Sequence, residues 1–190
     1  MTDPRAVLDF WFSDRARKVW FERDREFDAE IARRFGAAVH GAQQGAFEDW
    51  RQSPDGCLAL LLLLDQMARN IYRGEAKAFL GDARARLIAD DALRQGFDRM
   101  LPFDRRHFLY LPFEHSEALA DQERAVELFT RHLAEAPPES KAFAEIQLDY
   151  AHRHRDVVRR AGRFPGRNAA LGRETTEAEQ AVLADPKLQF

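Results

Sequence analysis

The stretch LLLLLDQMARN, from Leu60 to Asn70, allows few folds. Five consecutive leucines leave a helix no polar side, so the segment that carries them must pass through the middle of a core. No turn residue separates them from Asp65, Gln66, Arg69 and Asn70. At about 100° per residue, these four and Arg73 fall within roughly 140° of one another, while Leu64, Met67, Ala68, Ile71 and Tyr72 take the opposite side. Either this polar sector meets solvent, where Asp65 and Arg69 form an ordinary i, i+4 pair adding a few tenths of a kcal/mol, or it floors a pocket. Amides are costly to bury without partners, so two of them beside a leucine core point to an organised hydrogen-bond network.

The rest of the chain reads as helix. Asp3 or Thr2 before Pro4 is a start signal for a short helix over Ala6–Phe12. Phe27, Ile31, Phe35 and Val39 recur every four residues in a helix from Asp24 to about His40, and Ser53-Pro54 opens the central helix, which runs to about Tyr72. Further helices are expected from Gly81-Asp82 to about Gly96, from Asp104 to Tyr110, and from Asp121 to Ala136 on Val126, Phe129 and Leu133. A last long helix spans Glu139 to about Arg160, with Phe143, Ile146, Tyr150 and Val157 on its inner side. No segment alternates with period two. The expectation is an all-α chain of seven or eight helices in antiparallel pairs, one domain over 1–190, with 161–190 an Arg- and Gly-rich tail. The apolar ending, Leu188-Gln189-Phe190, implies that this tail docks back on the body.

Charge and composition exclude several classes. With 29 basic and 32 acidic residues the chain lacks the basic excess of a nucleic-acid binder. The one cysteine, Cys57, rules out internal disulfides and thiolate metal clusters, which suits a cytoplasmic protein. The longest wholly apolar run, Leu58 to Leu64, is far short of the roughly 20 residues that span a bilayer, so no membrane association is expected.

Two further polar clusters stand out. Tyr110–Glu117, YLPFEHSE, sets Glu114, His115, Ser116 and Glu117 after a proline-bent apolar segment. A histidine flanked by carboxylates suits a general base or a metal ligand, and the alternative is that these groups cap a helix. His115 and Glu117 are not at helical ligand spacing and no HExxH pair is present, so neither a metal nor another cofactor is expected. Residues 151–175 hold seven arginines, two histidines and two acids. Phe164-Pro165-Gly166-Arg167 fits a type II turn that would bring Arg163 and Arg167 together. With Arg173 they offer bidentate donors to a carboxylate or phosphate, or salt bridges to Asp65, Glu114 or Glu117. Arginine outnumbers lysine 25 to 4 throughout the chain, so its abundance here partly reflects composition.

Taken together, DFWF, LLLDQMARNIYRG followed by AF and GD, FLYLPFEHSE with DQ, and HRDVVRRAGRFPGRNAALGRETTEAE resemble an uncharacterised bacterial family of unknown function with a tetratricopeptide-like helical fold. The resemblance runs from Asp9 to Phe190 and implies no activity, substrate or cofactor. Its pattern falls on Asp65, Gln66, Arg69, Asn70, His115, Ser116, Glu117, His154, Arg163, Pro165, Arg167, Asn168 and Arg173. The chain departs from it at Gly166, where the family pattern carries histidine.

The three clusters each adjoin apolar sequence. They are expected to meet in one cleft lined by Asp65, Gln66, Arg69, Asn70, Glu114, His115, Glu117, His154, Arg163, Arg167, Asn168 and Arg173. One reading is a site for a small anionic molecule, with His115, His154 or Glu117 available for proton transfer. The other is a tetratricopeptide-like scaffold that binds a peptide or protein, its polar cluster holding the helices in register.

Overall fold

The computed structural model describes residues 2–188, and no β-strand occurs among them. Among these residues, seven α-helices reach eight residues or more: α1 (Pro4–Trp11), α2 (Arg25–Gln43), α3 (Pro54–Leu61), α4 (Asp82–Arg94), α5 (Leu119–Ala134), α6 (Lys141–Ala161) and α7 (Glu177–Ala184). Short α and 3-10 segments link them. The chain divides into two compact units, Met1–Leu101 and Pro102–Phe190. No helix among the described residues is long and apolar enough to cross a membrane.

In the first unit the start signals act as the sequence suggests. Asp3 accepts from the Ala6 amide, Asp24 from those of Glu26 and Phe27, and Ser53 from that of Gly56, with Pro4 and Pro54 just inside their helices. Phe27, Ile31, Phe35 and Val39 are all buried, and Phe10 packs against the rings of Phe27 and Phe35 at 5.4 and 5.1 Å. α2 continues through Gly41, beyond the expected end at His40, because the left-handed residue that breaks the chain is Gly45, at φ 96°.

The leucine helix is less regular than its sequence suggests. α3 runs on through a π-helical turn, Leu62–Met67, into a last α turn at Ala68–Ile71. Leu58 and Leu60 to Leu64 are at most 1% exposed, as befits a helix buried on all sides. The wider i to i+5 turn interrupts the uniform 100° step. Beyond it the polar residues divide between two neighbours: Arg69 reaches Asp82 at the start of α4, while Asn70 and Arg73 reach Asp28 of α2.

In the second unit α5 and α6 pack along each other. The inner side of α6 is Ala144, Gln147, Ala151, His154, Val157 and Val158. Of the residues expected there, only Val157 is buried; Phe143, Ile146 and Tyr150 are 37, 53 and 39% exposed. Small side chains permit the close approach of the two helices, so size selected the buried sector where hydrophobicity alone pointed elsewhere. On α5, similarly, Gln122, Ala125, Leu128, Phe129 and His132 are buried, while Val126 and Leu133 lie at the margin. Val182 and Leu188 pack with Val157, Val158 and Phe164, so the C-terminal segment lies on the end of α6. Gln189 and Phe190, the rest of the apolar ending, lie outside the described residues.

His132 stacks on Phe103 at 4.0 Å and 4°, and burial, aided by Arg106 and Arg131, pushes its pKa down from 6.5 to about 4. The unfolded chain therefore takes up a proton near pH 6.5 while the folded chain stays neutral, and stability falls as pH drops between these values. The loss over this window is on the order of 3 kcal/mol at about 1.4 kcal/mol per unit. Urea unfolding from pH 7.5 to 4 should show a steeper decline for the wild type than for His132→Gln. Parallel curves would mean that His132 is not held neutral.

Candidate functional site

Of the candidate residues, Asp65, Gln66, Arg69 and Asn70 belong to the first unit and the rest to the second. In the first unit they form a network among α3's continuation, α2 and α4. Asp65, 2% exposed, accepts from Gln66 Nε2 at 2.5 Å and pairs with Arg69 Nη1 at 3.0 Å. Arg69 also makes a fork to both oxygens of Asp82, at 2.9 and 3.0 Å. Burial works to lower the Arg69 pKa, but Asp65 and Asp82 more than offset it and the net shift is upward. Gly81 makes the pairing geometrically available, since a Cβ there would lie 2.6 Å from the Leu64 carbonyl oxygen and push Asp82 away. Asn70 donates to Asp28 Oδ1 at 2.6 Å, and Arg73 grips both oxygens of the same carboxylate at 2.6 and 3.0 Å. Both guanidiniums are thus neutralised by carboxylates of their own unit.

The second unit brings together segments distant in sequence. Gln122 donates to the carbonyls of Glu114 and Ser116, both at 2.6 Å, and fixes the EHSE turn from α5. Ser116 Oγ donates to Asp121 at 2.6 Å and accepts from the Ala118 amide, which makes it a turn residue at the start of α5. Glu117 accepts from the Phe164 amide at 2.9 Å and from both terminal nitrogens of Arg173 at 2.7 and 2.9 Å. Arg173 further holds Asn168 Oδ1 at 3.0 Å, and Arg167 donates to the His115 carbonyl at 2.8 Å while stacking on Phe164. Arg163 forks onto Glu179, and Asn168 Nδ2 reaches Thr175 and that same carboxylate.

At the centre of this arrangement lies a trio. His154 Nδ1 is 3.4 Å from Glu114 Oε1 and 2.9 Å from the Tyr150 carbonyl oxygen. The rings of His115 and His154 are 6.0 Å apart, and Phe164 meets His154 edge-on at 5.6 Å. Glu114, His115 and His154 each offer a ligand atom within 4.8 Å of the others, with Glu114 and His154 buried and His115 half-buried. A carboxylate and two imidazoles so placed can relay a proton or coordinate a cation.

The turn that carries the arginines differs from the type II expectation. Pro165–Arg167 is a 3-10 turn, closed by Arg167 and Asn168 amides bonding to the carbonyls of Phe164 and Pro165. Gly166 keeps an ordinary negative φ, and the left-handed glycine is Gly162, at φ 73°, which caps α6. Glycine at 166 is therefore not required by the turn, and its Cβ would meet nothing within 4 Å.

Local fields separate these groups. Burial pushes the Glu117 pKa up, but the hydrogen bonds from Arg173 and the Phe164 amide, with the charges of Arg173 and Arg167, bring it below the ordinary carboxylate value. Arg163, then the Thr176 amide, hold Glu179 down at about 2. Cys57 is buried, and desolvation raises its thiol to about 11, which disfavours the thiolate form. Gln122, Glu179, Asp28 and Asp82 were not among the candidate site residues. Asp82 and Gln122 fall in the GD and DQ pairs of the family resemblance, Glu179 carried the T-x-x-E capping box with Thr176, and Asp28 carried no signal.

The model of a bacterial protein family of unknown function (DUF924) matches residues 7–187. The chain belongs to this family. A solved structure supports the same fold for this DUF924 member: the chain is similar to protein ATU0120 of Agrobacterium tumefaciens, described as of unknown function, at 38% identity and a TM-score of 0.83. That similarity covers 95% of this chain and 96% of the other. No curated protein matches the sequence of this DUF924 member.

Proposed function

We propose that the second unit of this protein binds a small anionic molecule, a carboxylate or phosphate, beside Glu114, His115 and His154. The observation that carries the reading is the convergence of those groups with Arg167, from three segments of chain. Arg163 and Arg173 are held by Glu179 and Glu117 and shape the site. Arg167 is the cationic contact: its bond to the His115 carbonyl and its stacking on Phe164 fix the guanidinium beside the histidines. Glu117 and Asn168 position that turn through Phe164 and Arg173.

Thermal-shift titration with inorganic phosphate, pyrophosphate and a set of mono-, di- and tricarboxylates tests the reading. At least one of them should stabilise the wild type in a saturable way and fail to stabilise Arg167→Ala. If none stabilises the wild type, the anion reading falls.

A second reading is favoured by the pairing of Arg163 and Arg173 with carboxylates: a tetratricopeptide-like scaffold for a peptide or protein, whose polar cluster holds the segments in place. It expects Arg167→Ala to lower the melting temperature while no small anion acts on either form.

A further inference from the structure

We infer that Glu114, His115 and His154 form a site for one divalent first-row transition-metal ion, of which zinc is the probe of choice. Sequence spacing hid this set, because Glu114 and His115 are adjacent in the chain and His154 arrives from the middle of α6. Their ligand atoms lie within 4.8 Å of one another. Ligands bonded at about 2.1 Å to a tetrahedral ion stand about 3.4 Å apart, so side-chain shifts of at most about 1.4 Å close the set.

The surroundings suit coordination. A backbone carbonyl can only accept, so the 2.9 Å contact to Tyr150 puts the proton of a neutral His154 on Nδ1 and the lone pair on Nε2. An imidazole whose other nitrogen is tied to a carbonyl is oriented and made more basic as a ligand. Glu114 Oε1 stands 3.4 Å from that same Nδ1, so joint coordination with Nε2 takes a turn of the carboxylate or of the imidazole ring. Gln122 fixes the carbonyls on both sides of His115, and Arg167 fixes that of His115 itself, so the backbone bearing two of the three donors is constrained.

Two imidazoles with one carboxylate favour zinc, iron, cobalt or nickel over magnesium and calcium, which take oxygen ligands. Three protein ligands also leave coordination positions for water or another molecule. The charge balance gives this a consequence that rests on the function proposed above. Glu114 and Arg167 cancel formally, so a dication would add two positive charges beside the Arg167 contact and tighten the hold on an anion.

The test uses the full chain treated with chelator and then titrated with Zn2+ by calorimetry, with Co2+ absorption as a second readout. The wild type should take up one equivalent. His115→Ala, at a half-buried position, should weaken uptake at least about tenfold, as should Glu114→Gln, whereas His152→Ala, elsewhere on α6, should bind like wild type. Circular dichroism establishes that each variant is folded, and His115→Ala decides the matter if a buried variant is not. Absence of stoichiometric uptake by the wild type, or unchanged uptake by His115→Ala, overturns the metal site. Phosphate and carboxylate titrations with and without Zn2+ separate the two proposals. Metal uptake without any anion effect leaves the metal site standing and removes the anion; anion binding by protein that takes up no metal does the reverse.

Discussion

Replacing Arg69 by methionine is expected to lower stability by about 3–5 kcal/mol, because it strands a buried carboxylate. At about 2–4 °C per kcal/mol for a chain of this size, the melting temperature should fall by roughly 6–20 °C. Asp65 is 2% exposed, and its charge is stabilised by the Arg69 guanidinium together with the Gln66 amide. Asp82 would lose its bidentate partner as well. The methionine keeps most of the apolar stem of arginine, so the change isolates the charge. Chemical denaturation of Arg69→Met, of Asp65→Asn and of the double variant supplies a double-mutant cycle, and Asp65→Asn should recover part of the loss in the Arg69→Met background. A solvent-exposed i, i+4 pair would instead give a loss of a few tenths of a kcal/mol. That outcome would return the LLLLLDQMARN segment to an ordinary surface helix end, with no buried network supporting the fold there.

What could be read from the sequence depended on whether a signal was local. Asp3-Pro4, Asp24 and Ser53-Pro54 fix helix starts through contacts within four residues, and each acts as its pattern implies. The stripe of Phe27, Ile31, Phe35 and Val39 is equally direct, because four large apolar residues on one sector have only one favourable direction to face. α6 offered two candidate sectors. Phe143, Ile146 and Tyr150 are the more apolar, yet Ala144, Gln147 and Ala151 are buried, since the choice depends on how closely α5 approaches and not on α6 alone. The π-helical turn at Leu62–Met67 was likewise invisible, and with it the division of the polar sector between Asp82 and Asp28.

For the candidate residues, residue type was informative and partner identity only in part: Glu117, an expected partner, takes Arg173, whereas Glu179, the partner of Arg163, was not among those expected. That arginines among carboxylates would pair is elementary electrostatics. That Arg173 takes Glu117 while Arg163 takes Glu179 follows from a 3-10 turn at Pro165–Arg167 where Pro-Gly suggested a type II turn. Glu114, His115 and His154 were each expected to line the cleft, but their combination as one ligand set was unreadable for a related reason. Two of its members are chain neighbours, which no helical ligand spacing describes, and the third is about forty residues away.

Glycine substitutions separate local propensity from tertiary fit, and Gly56→Ala is expected to be among the most damaging single changes in the chain. Position 56 lies in the first turn of α3 and has no positive φ, so propensity alone predicts that alanine stabilises the helix by about 1 kcal/mol. The added Cβ, however, would stand 2.2 Å from the Trp50 carbonyl oxygen and 2.9 Å from Ser53 Oγ. The first obstacle is backbone, belonging to the 3-10 turn Glu48–Gln52 that folds over the helix start. Relief therefore means moving that turn or the cap that Ser53 makes to the Gly56 amide. Overpacking of this kind costs about 3 kcal/mol and outweighs the propensity gain. Gly36 supplies the control: it lies inside α2, and a Cβ added there would meet nothing within 4 Å, so Gly36→Ala should stabilise by up to about 1 kcal/mol. Urea denaturation of the two variants should move the midpoint in opposite directions. If both alanines stabilise, the turn before α3 yields freely, and the close packing of Trp50 on the helix start is not a constraint on the fold.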